Sequence, residues 1–193
     1  LVLPAASAFT HLTAAEQYGW WLPSSPAHPV FAAMRRCDPR PRRPGLLVCR
    51  HPRSFGFTLR DGIRLTTPAE TILAATRDLG VLDLVVLGDS ALRLGHVTTT
   101  ELAIVAGQRR RGAPLLREVV PLLDKRSEST WESIMRVLHG AADIPVEPQH
   151  PVHDDDGRFL ARADFSVVGT RRLHEYNGSD HRTPEVQDAD LRR

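Results

Sequence analysis

Cysteine is almost absent from this 193-residue chain: Cys37 and Cys49 are the whole complement, without CxxC spacing or a nearby histidine pattern that would complete a zinc tetrahedron. That removes a disulfide-stapled scaffold and a zinc module, and the pair reads as two reduced thiols of a cytoplasmic protein. Long apolar runs are missing as well. VLDLVVLG stops far short of the roughly 20 residues a bilayer-spanning helix needs, so membrane partners are set aside. Lysine occurs once, at Lys125, and arginine carries nearly all the positive charge. Arginine offers phosphate a bidentate fork that lysine lacks, although a GC-rich coding bias gives the same composition. There is no internal repeat and no low-complexity block. No basic-then-apolar leader opens the chain. Its first residue is Leu1 and its last run, DADLRR, reads as the middle of a charged helix, so further sequence is expected at both ends.

What is present fits one ordinary domain or two small ones, with 41% hydrophobic residues and a net charge of only +2. Up to about residue 66 the pattern is a short helix (THLTAAEQYGWWL) and then strands, among them HPVFAAM and GLLVCRH. Those two flank RRCDPRPRRPG, an arginine loop that prolines keep extended. Arg35, Arg36, Arg40, Arg42 and Arg43 there make either a basic wing for DNA phosphates or a solvated, proline-stiffened hairpin loop. From Thr67 the period becomes helical. Thr67-Pro68-Ala69-Glu70 has the form of a capping box with proline at the first helical position, and Thr98 to Glu101 repeats the form. VLDLVVLGDSALRL and PLLREVVPLLD supply further helices, the last interrupted by Pro121.

The polar run DKRSES, residues 124–129, predicts a boundary between a region 1–124 and a region 125–193. Beyond it comes the helix TWESIMRVLHGAA, with Trp131, Ile134, Met135 and Leu138 on one face. An extended stretch VEPQHPVH, an acidic turn DDDG, the strand RFLARADFSVV, a Gly169-Thr170 turn, the strand RRLHEYNG and a helix from Pro184 follow. The fold class predicted is α/β, with an α+β first region.

The chemistry concentrates on the two strands around Gly169. Asp164 alternates with Ala163 and Phe165, and Glu175 shares a face with Leu173 and Asn177, because strand side chains alternate with period two. A hairpin brings both carboxylates to one spot, where their repulsion calls for a divalent cation. The bland alternative for Asp164 is an ion pair with Arg162 or Arg172. Glu132, near the start of its helix, is either a third carboxylate of the site or the closing member of a Ser129-x-x-Glu132 capping box. His150 and His153 have HxxH spacing, but Pro151 between them argues against a metal-binding helix face.

TWESIMRVL, DGRFLARADFSV and LHEYNGSDHR, in that order over residues 127–193, resemble a bacterial domain of unknown function related to the very-short-patch-repair (Vsr) endonucleases. That group lies within the PD-(D/E)XK nuclease superfamily. The motifs matched are a helix ES-x-x-ES, a strand DG-x-F-x-x-R-x-DF and a strand end E-Y-D-G-x-x-H-R. More loosely, THLTAAEQYGWWLP and DGIRLTTPAETIL are similar to AbiEi-like proteins of type IV toxin-antitoxin systems.

The resemblance implies a restriction-endonuclease-like α-β-β-β-α core without its last strand. It also implies a DNA endonuclease using Mg²⁺ or Mn²⁺, in defence, toxin-antitoxin or repair roles. Asp164 and Glu175 become the metal ligands and Glu132 a supporting carboxylate. His181 becomes a group that orients or protonates, unless it is a solvated loop histidine, and Arg182 a phosphate ligand. Asn177 departs from the pattern, which has lysine or an acidic residue there; an amide hydrogen-bonds water but is no general base. DNA is the expected partner, with a second copy or a toxin beside it. The alternative is a non-catalytic DNA-binding regulator or antitoxin in which the arginine loop carries the function.

Overall fold

The structure, a computed structural model, describes residues 3–23, 28–52 and 54–176. The chain is a mixed α/β protein that divides into two compact units, Leu1–Ile134 and Met135–Arg193.

In the first unit β1 (Ala8–Phe9) leads into α1 (His11–Tyr18), which Gly19 ends in the left-handed conformation at φ 76°. Strands β2 (Val30–Arg35), β3 (Leu46–His51), β4 (Phe57–Arg60) and β5 (Ile63–Thr66) complete a mixed sheet of order β3-β2-β1-β5-β4. Asp61 and Gly62 both take positive φ, 49° and 75°, which is the two-residue turn that joins a right-twisted hairpin.

The arginine loop is not a hairpin. Strands β2 and β3 run parallel, with Val30 beside Leu46 and Arg35 beside His51, so residues 36–45 travel back along the full length of β2. Pro39, Pro41 and Pro44, with φ fixed at about −65°, stiffen that return.

Helices α2 (Pro68–Ala75), α3 (Val81–Arg93), α4 (Thr99–Ala106) and α5 (Ala113–Val119) follow, and a 3₁₀ turn at Val120–Leu122 takes over where Pro121 stands. Their apolar faces form the core, in which Ile72, Leu84, Leu87, Leu102 and Leu116 are fully buried. Thr98 forms the expected capping box with Glu101, both reciprocal hydrogen bonds being made. Thr67 does not form one. Glu70 turns instead to Arg110, whose guanidinium it accepts through both carboxylate oxygens at 2.5 and 2.7 Å. A bidentate charge-assisted pair outcompetes a single cap hydrogen bond.

Helix α6 (Thr130–Ala141) straddles the division between the units. The second unit continues with β6 (Val146–His153), β7 (Phe159–Val167) and β8 (Leu173–His174), an antiparallel sheet of order β6-β7-β8. Ala163 and Phe165 are buried while Asp164 between them faces the other way, as period two requires. His139 of α6 sits over Phe165 and within hydrogen-bonding reach of His174, Nε2 to Nδ1 2.9 Å. The closing helix expected from Pro184 lies outside the described residues. No helix among the described residues is long and apolar enough to cross a membrane.

Candidate functional site

Two groups of side chains carry chemistry, one in each unit. In the second, the β7–β8 register pairs Phe165 with His174 and Ser166 with Leu173. Asp164 and Glu175 are the next residue on each side, Asp164 on the sheet face away from Phe165 and Glu175 just past the last paired residue. Past His174 the chain leaves the ladder, and the Tyr176 backbone N–H donates to Asp164 Oδ2 at 2.7 Å. That bond holds the half-buried carboxylate through Oδ2. Glu175, just outside the strand, is exposed.

On the other side of β7 the ladder is interrupted at the same level. Pro148 pairs with Phe165 and His150 with Ala163, but Gln149 between them adopts a left-handed φ of 56°. A non-glycine residue held there is strained, and such strain gathers at functional sites. Gln149 thus stands opposite Asp164, between the paired residues Pro148 and His150. The sequence signal for Gln149 was weak: a glutamine between Pro148 and His150, with nothing in the pattern to predict a positive φ.

Glu132 is engaged locally. Its backbone N–H donates to Ser129 Oγ at 3.1 Å, and its carboxylate accepts the Glu128 backbone N–H at 2.8 Å. The helix-capping alternative is therefore realised in a variant form, with Glu128 in place of Ser129 as the backbone donor. Asn177, His181 and Arg182 lie outside the described residues. His150 pairs with Glu147 at 2.9 Å, and among the described residues no three of His, Cys, Asp and Glu gather as a ready metal set.

The first unit gathers arginines. A cavity of about 640 Å³ is walled by β3, the end of β2, α2 and the turn between α4 and α5. Six arginines line it (Arg36, Arg50, Arg77, Arg109, Arg110 and Arg111), against Glu70 as the one acidic group among its described lining residues. Arg110 is held by Glu70, so the middle member of the Arg109–Arg111 run is an anchor and its neighbours stay exposed. Gly112 lets that turn close against α2, since a Cβ on it would stand 1.9 Å from Thr76 Oγ1. The Arg50 guanidinium donates to the Arg36 carbonyl, tying the two strand ends together.

Burial pushes His51 below the ordinary histidine range, against the pull of Glu70 and with the push of Arg110 and Arg77. Burial likewise raises the Cys49 thiol, so the cavity floor offers no thiolate.

Of the arginines singled out in the sequence, Arg36 lines this cavity, while Arg40, Arg42 and Arg43 line a shallower one along the return loop. Arg35 is spent on Asp38, 3.0 Å away. Arg50, Arg77, Arg109 and Arg111 went unnoticed in the sequence, where they are scattered over three separate segments; only the RRR run at 109–111 was a visible sign.

No family model matches the chain, and no solved structure does. Two proteins of Mycobacterium tuberculosis, Uncharacterized protein MT2308 of strain CDC 1551 / Oshkosh and Uncharacterized protein Rv2248 of strain ATCC 25618 / H37Rv, are each 34% identical to it over 149 residues. The match covers 75% of this chain and 55% of each relative, so the chain spans little more than half their length.

Proposed function

We propose that this protein is a metal-dependent DNA endonuclease whose cutting site is the Asp164–Glu175 pair. What supports it is the β7–β8 register, which pairs Phe165 with His174 and so brings Asp164 and Glu175, the next residue on each chain segment, near one another. Their hard oxygen donors fit Mg²⁺ or Mn²⁺. Such a cation, when bound, supplies charge stabilisation at the phosphoryl oxygens and an activated water. The protein's own part is positional. The Tyr176 N–H holds Asp164 in orientation, and Glu175 completes the pair from the neighbouring chain segment. His181 assists proton transfer and Arg182 steadies the scissile phosphate in this reading, while Asn177 holds water rather than the cation. The order of one helix and three antiparallel strands supports kinship with the Vsr-like branch of the PD-(D/E)XK nucleases.

Nicking of supercoiled plasmid tests this. With Mg²⁺ or Mn²⁺ the protein is expected to relax the plasmid, with chelator it is not. Asp164→Asn and Glu175→Gln are each expected to lower the rate about a hundredfold or more, as loss of charge stabilisation does elsewhere. Full cleavage by the purified, folded double variant rules the reading out.

A second reading is favoured by the arginines along the return loop: a non-catalytic DNA-binding regulator or antitoxin. It predicts metal-independent, salt-sensitive binding of duplex DNA that weakens when Arg36, Arg40, Arg42 and Arg43 are replaced by alanine.

A further inference from the structure

We propose that the arginine-lined cavity of the first unit is a nucleotide-binding site for single-stranded nucleic acid, taking a backbone phosphate in the cavity and the attached unpaired base in the space beside it. Two features of the structure lead there.

The first is charge. Arg36, Arg77, Arg109 and Arg111 are exposed around one concave space, and no salt bridge neutralises any of them among the described residues. Guanidinium groups that outnumber the carboxylates around them repel one another, and a concave wall focuses their field. The arrangement is held open by design of the fold: Glu70 clamps Arg110, Gly112 permits the close approach to Thr76, and Arg50 ties to the Arg36 carbonyl. An anion with several oxygens satisfies such a cluster, and at about 640 Å³ the space has the size of a small-molecule site.

The second is what adjoins it. A neighbouring cavity of about 680 Å³ shares His51, Pro52, Arg109 and Arg110 with the first and adds Phe55, Ser54 and Gln108. The His51 and Phe55 rings lie 4.8 Å apart at 45°, both half-buried, so each offers an accessible ring surface. Gln108, whose side-chain oxygen accepts from Arg110 at 3.0 Å, presents its amide NH2 as a donor to a base edge. Charge beside an aromatic platform and an amide is what an unstacked nucleotide requires, since every base has a face to stack. A paired base inside a duplex presents its edges but not its faces, so the ring pair favours single strands. His51, kept uncharged by burial, serves here as a ring rather than as another cation.

All of these residues belong to the first unit, so the site stands or falls independently of cleavage at Asp164 and Glu175. The test is fluorescence anisotropy of a labelled oligothymidylate and of a duplex of equal length, both in chelator. The proteins compared are the full chain, Arg77→Ala/Arg109→Ala, Phe55→Ala and the surface control Arg93→Ala, each checked for folding by circular dichroism. The double arginine variant is expected to bind the single strand at least tenfold more weakly. Its salt dependence should be shallower by about 0.7 in log–log slope for each arginine removed. Phe55→Ala should weaken the single strand about tenfold and leave the duplex unchanged.

Free deoxynucleoside monophosphate as competitor separates two sources of the same chemistry. Competition places a strand end or a single nucleotide in the site, and competition by oligonucleotide alone places the interior of a strand there. Unchanged affinity and slope in the double variant, an equal loss in Arg93→Ala, or an equal loss of duplex binding in Phe55→Ala overturns the proposal.

Discussion

The two units of this chain are built on different principles. The first buries Leu84, Val85, Leu87, Leu102 and Leu116 completely, and its elements lock together through side chains far apart in sequence, such as Glu70 with Arg110 and Trp20 with His96. Among the described residues the second buries Pro148, Ala163 and Phe165, while Phe159 and Leu160 on β7 are 63% and 61% exposed. Its order comes from strand register and short turns. Asp154 Oδ1 gathers the backbone N–H groups of Asp156 and Arg158, and Gly169 takes φ 77° to turn β7 toward β8. A site on the second unit can therefore be read from alternation along one hairpin. A site on the first exists only after helices and strands have packed.

The contrast is open to attack where the effects are largest. Leu87→Ala in the first unit is expected to cost about 2–5 kcal/mol, because the side chain is fully buried and its loss leaves a cavity. Leu160→Ala in the second should stay within about 0.5 kcal/mol, being mostly exposed already. Trp20, Trp21 and Trp131 all belong to the first unit, so tryptophan fluorescence in a urea melt follows that unit while circular dichroism follows the whole. A Leu160→Ala cost as large as that of Leu87→Ala would erase the distinction.

A pH titration sharpens it further. His11 is fully buried, stacked 3.9 Å from Phe31, and takes a left-handed φ of 56°. Its Nδ1 accepts the Leu12 N–H at 2.8 Å, which leaves the proton on Nε2. Nε2 is 3.1 Å from Asp78 Oδ2, close enough for charge attraction but outside hydrogen-bond geometry. Burial dominates and lowers its pKa from 6.5 to about 4, with Asp78 pulling upward. The unfolded chain thus binds the extra proton first. Stability is full above pH 6.5, falls as the pH drops toward 4, and levels off below, a loss of roughly 3 kcal/mol from this residue. His11→Asn tolerates the left-handed backbone and does not titrate, so its stability should vary less over that window. Parallel pH profiles for the two proteins would contradict the assignment.

The smallest effect concerns two motifs of the same form. Thr98→Ala removes a capping box that is made and should cost about 1 kcal/mol. Thr67→Ala removes one that is not made and should cost a few tenths at most in lost capping. Thermal melts of the two variants compare them directly, and equal losses would show that the motif acts through the sequence rather than through the bonds observed.

Those two threonines show how far the sequence could be read. Both boxes have the same spacing, and the local pattern could not foresee that Glu70 would be drawn to an arginine forty residues on. The RRCDPRPRRPG segment failed in the same way. Its prolines predicted an extended course but could not foretell that β3 would lie parallel to β2. Trp131 and Leu138 belong to an amphipathic pattern on α6, yet they stand 51% and 57% exposed.

What the sequence by itself determined is whatever depends on neighbours along the chain. That includes the helices from α2 to α6 and the strands around Gly169, set by periods of 3.6 and 2 and by turn residues. Tertiary structure alone decided the rest: the parallel run of β2 and β3, the capture of Glu70 by Arg110, the strained backbone of Gln149 opposite Asp164, and the arginine cavity. Each of these rests on contacts between segments distant in sequence, whose energies outweigh local preference and leave no periodic trace in the chain.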